Sequence, residues 1–198
     1  MIDLRTYKSK LDRGVPRWKE GLWLTAQFLF FALPYPLPSA FRVWILRRFG
    51  AKIGCKVVIR SGVRVSFPWR LTVGDYSWIG EDVSILSLDH VTIGANCCVS
   101  QRAFLCTGSH RFDRLGFDLV TKPIRIHDGV WVAAQVFVAP GIEIGANSMC
   151  IAGSVVLDDV PAGCIVQGNP AVIRSRRDAS CSSVDRNSED TSLPPRGV

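Results

Sequence analysis

No apolar run in this sequence approaches the length of a membrane span. The longest, "LWLTAQFLFFAL" (22–33), has twelve residues and includes Thr25 and Gln27, whereas a bilayer crossing takes about 20. The chain also has no C-x-x-C. Its seven cysteines (55, 97, 98, 106, 150, 164 and 181) are odd in number and unpaired in spacing, which excludes a disulfide framework and a zinc knuckle and points to reduced thiols in a cytoplasmic protein. The N-terminus opens with charged residues and lacks an early apolar core followed by a cleavage site, so no secretory signal is expected. Net charge is missing from the middle of the chain: residues 51–173 carry ten Lys/Arg against ten Asp/Glu. The formal +7 lies instead in residues 1–50, with nine against three, and in residues 174–198, with five against four. A nucleic-acid binder would more often place its positive charge on the folded core, so no nucleic-acid partner is expected. A membrane surface or an acidic partner suits the first 50 residues better.

What the chain has is a repeat. With 47% hydrophobic residues in 198 it can bury one sizeable core. Along it an aliphatic residue recurs every six positions, usually followed by Gly or another small residue and, four places on, by a small or β-branched one. Clean copies are "IGCKVV" (53), "VGDYSW" (73), "IGEDVS" (79), "IGANCC" (93), "VAAQVF" (132), "IGANSM" (144) and "CIAGSV" (150). With weaker copies the phases are 53, 59, 65; 73, 79, 85; 93, 99, 105; 126, 132, 138; and 144, 150, 156.

A period of six suits neither a strand nor a helix unless each unit is a short strand plus a corner, with three units per triangular coil. The aliphatic residues then point into a narrow core and stack about 4.8 Å apart. Gly at the second position suits the corner backbone. Coils start 20, 20, 33 and 18 residues apart, so every insertion follows a third unit and emerges along one edge. The largest, roughly "RFDRLGFDLVTKP" (111–123), is a projecting loop of a length that suggests function.

Residues 1–50 form a basic, apolar segment with two short helices, 18–33 and 39–50, separated by the proline-rich "PYPLP". Ser39 is the expected N-cap and Gly50 the C-cap. The second helix mixes Arg42, Arg47 and Arg48 with Trp44 and other apolar residues; it suits a membrane headgroup layer, or plugs the first coil, or packs on a neighbouring subunit. Residues 51–177 form the repeat domain, and residues 178–198, with few large apolar residues, read as a disordered tail.

His110, in "TGSH" (107–110), is the sixth residue of its unit and lies at the root of the long insertion. A histidine there can take a proton from an alcohol or amine near neutral pH. His90, one coil earlier, is expected beneath it; with Asp89 it either orients the base or contacts the acceptor, or it is a solvated corner. Ser109 is a further neighbour. His127 reads as a corner substitution. Cys106 is set aside as a nucleophile, because an i, i+4 spacing to His110 is a helical adjacency and not one of strands.

The repeat, "FGAKIG", "CTGSH" and "GNPA" over residues 51–177 resemble the hexapeptide-repeat acyltransferases, most of all those of colanic acid and exopolysaccharide biosynthesis. The resemblance implies an all-β, left-handed parallel β-helix of about five coils, assembled as a homotrimer. It implies O-acetyl transfer from acetyl-CoA to a sugar hydroxyl of a polysaccharide precursor, free or lipid-linked. His110 would be the general base for direct attack, with no acyl-enzyme and no metal, and a backbone N–H would stabilise the developing oxyanion. It also implies cofactor contacts at Trp131, Ala133, Ala134, Ala152, Gly153 and Arg174, with Arg176 and Arg177 nearby. Leu157-Asp158 stands where the family usually has Thr-Lys, which removes one expected cation. The enzyme would be cytoplasmic, with residues 18–50 at the inner membrane face. Two rivals stay open: a β-helix metalloenzyme using three histidines, although the close pair H-x-x-x-x-H is absent, and a non-catalytic scaffold.

Overall fold

The computed structural model describes residues 2–7, 11–32 and 37–177; the expected tail, 178–198, lies outside them. All fifteen phased positions fall in strands of two or three residues and are buried. They form three parallel sheets whose rungs are the phases themselves. Ile53, Val73, Ile93, Ile126 and Ile144 pair in register in the first sheet. Ile59, Ile79, Val99, Val132 and Cys150 do so in the second, and Val65, Ile85, Leu105, Val138 and Val156 in the third. The result is a prism with one aliphatic column per face.

The corners work differently from the expectation for second-position glycine. Where a corner has a left-handed residue it is the fourth of its unit: Lys56, Tyr76, Asp82, Asn96, Arg102, Gln135 and Asn147 all have φ between 50° and 60°. Gly74 and Gly94 are glycine because the next turn passes too close for a Cβ. One on Gly74 would lie 2.6 Å from the Ala95 nitrogen, and one on Gly94 2.7 Å from that of Asp128. Serines take the fifth position in several units and bond across turns, as when Ser77 donates to the Gly94 carbonyl at 2.7 Å and accepts from the Cys97 N–H at 3.0 Å.

The helix extends further than five coils. Val160 bridges to Ile144 and Val166 pairs with Cys150, forming part of a sixth turn. The step from Ile144 to Val160 is two residues short of the 18-residue period, which hid it from the count. Strand Cys164–Gly168 then turns back, antiparallel, into Ala171–Arg176 and closes that end.

The other end is closed by α1 (Arg17–Gln27), which runs on as a π-helical turn through Phe28–Ala32, and by α2 (Ser39–Arg48). Trp23, Phe31 and Leu46 are buried against the first coil. The helices also satisfy its free edge, which would otherwise invite another strand. Gln27 accepts from the Val65 N–H at 2.7 Å, the Phe31 carbonyl from the Gly62 N–H at 2.8 Å, and Trp23 donates to the Val65 carbonyl at 2.8 Å. Ser39 is the first residue of α2 and not its cap, since its hydroxyl accepts from the Ile59 N–H at 2.7 Å. Gly50, with φ of 102°, follows the helix and lets the Ala51 N–H reach the Leu46 carbonyl. Among the described residues no helix is long and apolar enough to cross a membrane.

Candidate active site

The long insertion is a β-hairpin. Gly108–His110 pairs antiparallel with Leu119–Thr121, with His110 opposite Leu119 and Gly108 opposite Thr121. "TGSH" builds its root. The buried Thr107 hydroxyl donates to the Leu86 carbonyl at 2.5 Å and accepts from the Asp89 N–H at 2.9 Å, tying the hairpin to the coil below. At Gly108 a Cβ would come within 2.8 Å of the Leu88 side chain.

His110 is held on three sides. Its Nδ1 lies 2.8 Å from the Phe117 carbonyl oxygen. A carbonyl only accepts, so Nδ1 carries a proton, and in the neutral ring Nε2 presents the lone pair. The Phe117 ring stacks on the imidazole with centroids 4.2 Å apart and planes 4° apart, and the Tyr7 ring stands 5.8 Å away on a tilt. Phe117 achieves both contacts from a left-handed backbone, φ 49°, which costs a side-chain-bearing residue about 1 kcal/mol. The N-terminal segment that carries Tyr7 is fastened to the hairpin by the Asp3 N–H, which donates to the Leu115 carbonyl at 2.9 Å. At the exposed turn Arg111 pairs with Asp113 at 2.7 Å and holds that carboxyl down to about 2. Neither Phe117 nor Tyr7 was readable from the sequence as a neighbour of His110. Phenylalanine is no turn signal, and Tyr7 arrives from more than a hundred residues away.

Strand alternation places His110, Gly108, Leu119 and Thr121 on one face of the hairpin and Ser109 on the other. Ser109 is therefore not brought beside the base. The face that bears His110 adjoins a groove of about 330 Å³ lined by Leu119 and Thr121 together with Asp12, Arg70, Leu88, Asp89 and His90. Arg70 is fixed across it, donating to the carbonyls of Leu88 and Asp12. Asp89 and His90 reach this groove, but His90 does not lie beneath His110. Its carbonyl accepts from the Ile124 N–H at 3.0 Å, so the next turn above it begins at Pro123 and the hairpin diverges to the side.

The remaining histidine, His127, is an exposed corner residue 2.6 Å from Glu143. His110 and His127 thus have separate ring partners, and among the described residues no three His, Cys, Asp or Glu are grouped to hold a metal ion. Cys106 is buried and donates to the Gly108 carbonyl at 3.1 Å.

The residues expected to line a cofactor gather elsewhere on the prism. Trp131 projects from the second sheet, half-exposed, its indole N–H donating to Ser100 at 2.9 Å. Met149, Ile165 and Ser175 continue the same outward row. At the corner between the second and third sheets Ala134 and Gly153 lie one turn apart, joined by the Gly153 N–H to the Ala134 carbonyl at 2.9 Å. Ala152 is exposed beside them, and a Cβ on Gly153 would meet nothing within 4 Å, so the corner is open. Ala133 does not belong to this strip: it is the second residue of its unit, buried where the next turn passes close, and its N–H is given to the Cys150 carbonyl at 3.0 Å. Arg174 falls at a β-bulge, skipped between the pairs Ile165–Ser175 and Val166–Ile173, and is exposed. Leu157 and Asp158 are exposed as well.

No protein-family model matches the chain. It is 43% identical over 165 residues to WcaF of Escherichia coli K12, a protein assigned as a colanic acid biosynthesis acetyltransferase, covering 83% of this chain and 91% of the relative. It is 28% identical over 138 residues to the galactoside O-acetyltransferase of the same organism, covering 68% of each. Among solved structures, a hexapeptide-repeat-containing acetyltransferase of Vibrio cholerae O1 biovar eltor, complexed with acetyl coenzyme A, superposes with a TM-score of 0.72 at 29% identity, over 81% of this chain and 86% of that one. The strand ladder and the extent of the match to WcaF agree: the chain belongs to the hexapeptide-repeat acetyltransferases.

Proposed function

We propose that the protein moves an acetyl group from acetyl-CoA to a sugar hydroxyl of an exopolysaccharide precursor, with His110 as general base and with no acyl-enzyme. The observation that carries this reading is the orientation of His110: Nδ1–H is committed to the Phe117 carbonyl, which leaves Nε2 as the ring atom free to take a proton, on the hairpin face that adjoins a polar groove. Nε2 takes the proton of the acceptor hydroxyl as that oxygen attacks the thioester carbonyl. The imidazolium then returns the proton to the departing sulfur. Acetyl-CoA supplies the acetyl group and a thiolate leaving group, and it makes the cytoplasm the place of reaction. The groove suits the acceptor because Arg70, Asp89, His90, Asp12 and Thr121 offer donors and acceptors of the kind hydroxyl groups require.

Trp131, Ala134, Ala152 and Gly153 fit an extended pantetheine arm, because an open glycine corner beside an exposed aromatic lets a thin chain lie against backbone. Arg174 fits the phosphates. These groups lie on a different edge of the prism from His110, so a complete site needs a second copy, and we assign a homotrimer with sites shared between neighbours. Co-assembly of a His110→Asn chain with a Trp131→Ala chain tests this at acetyl-CoA concentrations well below the raised KM of Trp131→Ala, since shared sites then regain activity above that of either variant alone. The overall reading is tested by acetyl-CoA binding calorimetry and by release of free thiol in the presence of a panel of sugars and crude lipid-linked oligosaccharide. Wild-type protein that binds no acetyl-CoA returns the scaffold alternative.

A further inference from the structure

From Gly21 to Phe41 the sequence contains no charged residue. Most of that stretch is helix over the end of the prism, and only one side of it is used there: Trp23 and Phe31 are buried, while Trp18 is 67% exposed, Phe28 60%, Leu22 55%, Leu24 54% and Leu29 40%. On a helical wheel these exposed residues flank Gly21 and Thr25, so the outer surface of α1 is apolar nearly all round its solvent arc. Trp44 on α2, 56% exposed, faces the same side. Between the helices lies an apolar groove of about 440 Å³ lined by Trp18, Leu22, Ala26, Phe30, Trp44 and Phe49. Scattered exposed apolar residues need no explanation, but a contiguous patch of this kind marks an interaction surface.

Charge selects the occupant. Arg48 lines the groove and Arg17 begins α1, both exposed and neither in an ion pair among the described residues. Lys19 is at the rim, over Trp69. The one acid in residues 17–50, Glu20, is already paired with Arg13. A second copy apposed through the same face would bring cations against cations. We propose that this helical layer docks the protein on an anionic phospholipid bilayer, with Trp18, Leu22, Phe28 and Trp44 entering the headgroup region and Arg17 and Arg48 facing lipid phosphates. The surface is separate from the His110 groove, and the proposal does not rest on the catalytic reading.

The test is co-sedimentation of the full-length protein with vesicles of phosphatidylcholine alone and of phosphatidylcholine mixed with phosphatidylglycerol. The expected result is pelleting with the mixed vesicles, weakened by salt, and little with phosphatidylcholine. Arg17→Glu with Arg48→Glu lowers the apparent affinity at least about tenfold. Trp18→Ser with Trp44→Ser lowers it at unchanged net charge, and unchanged thermal unfolding shows that both variants are folded. Protein that stays in the supernatant with anionic vesicles overturns the proposal, as does equal binding to both vesicle types. So does a fall in the vesicle-free mass of the Trp18→Ser, Trp44→Ser variant, which would make this face a contact between copies of the chain.

Discussion

Replacing His110 by Asn and by Ala separates its two jobs. The imidazole donates from Nδ1 to the Phe117 carbonyl and stacks on the Phe117 ring. Alanine removes both contacts: about 1 kcal/mol for the hydrogen bond and about 0.5–1.5 kcal/mol for the stack. At about 2–4 °C per kcal/mol for a chain of this size, His110→Ala should melt roughly 4–8 °C below wild type. Asparagine carries an amide N–H near the position of Nδ1, keeps the bond to Phe117, and should lose about half as much. Neither variant has a group at Nε2, so both should lose turnover by about 10²–10⁴-fold, the usual worth of a general base. That corresponds to roughly 2.7–5.4 kcal/mol of transition-state stabilisation. The assay is CoA thiol release under saturating acetyl-CoA, beside a thermal melt and acetyl-CoA calorimetry on the same preparations. Equal, deep losses of turnover with unequal melting points and unchanged acetyl-CoA affinity are expected. A His110→Asn enzyme working within tenfold of wild type would refute the assignment of the base.

Three further outcomes follow from the geometry. Trp131→Ala should raise the KM for acetyl-CoA with a smaller effect on kcat, measured by steady-state kinetics; an unchanged KM would remove Trp131 from the cofactor strip. Gly74→Ala places a Cβ 2.6 Å from the Ala95 nitrogen, a backbone clash with no side chain to give way, and should cost about 1–3 kcal/mol in denaturant unfolding. Burial pushes the Cys150 thiol up to about 12, so the folded state keeps a proton that the unfolded chain loses above its ordinary range. Stability is then fully present at neutral pH and falls as pH rises from about 9 towards 12, by up to about 1.4 kcal/mol per unit from this group. Unfolding curves across that range check the slope, and Cys150→Ala should flatten it.

The fifteen core positions, fourteen aliphatic and Cys150, were legible because a six-residue period tolerates no other arrangement of a narrow core: each phase predicted is a rung observed. The same logic failed where the period did, at the shortened step to Val160, which concealed the sixth turn. Corner glycines were correctly located but given the wrong cause, because a one-dimensional pattern shows a missing side chain without showing the backbone that displaces it. Ser39 was misassigned for a related reason, its hydroxyl being used by Ile59 of the coil above and not by its own helix.

At the site the sequence alone singled out His110, through its place at the root of the one long insertion, and set His90 beneath it with Asp89; Trp131 and Arg174 were named through the family resemblance. Only the tertiary structure paired His110 with Leu119, turned Ser109 away, and set His90 in the groove rather than beneath the base. Only it brought Phe117 and Tyr7 to the imidazole. The physical difference is one of range: the coil core is a sum of repeated local contacts that periodicity records, whereas the orientation of one imidazole depends on a carbonyl seven residues away across a hairpin turn, held in a left-handed conformation that phenylalanine rarely adopts.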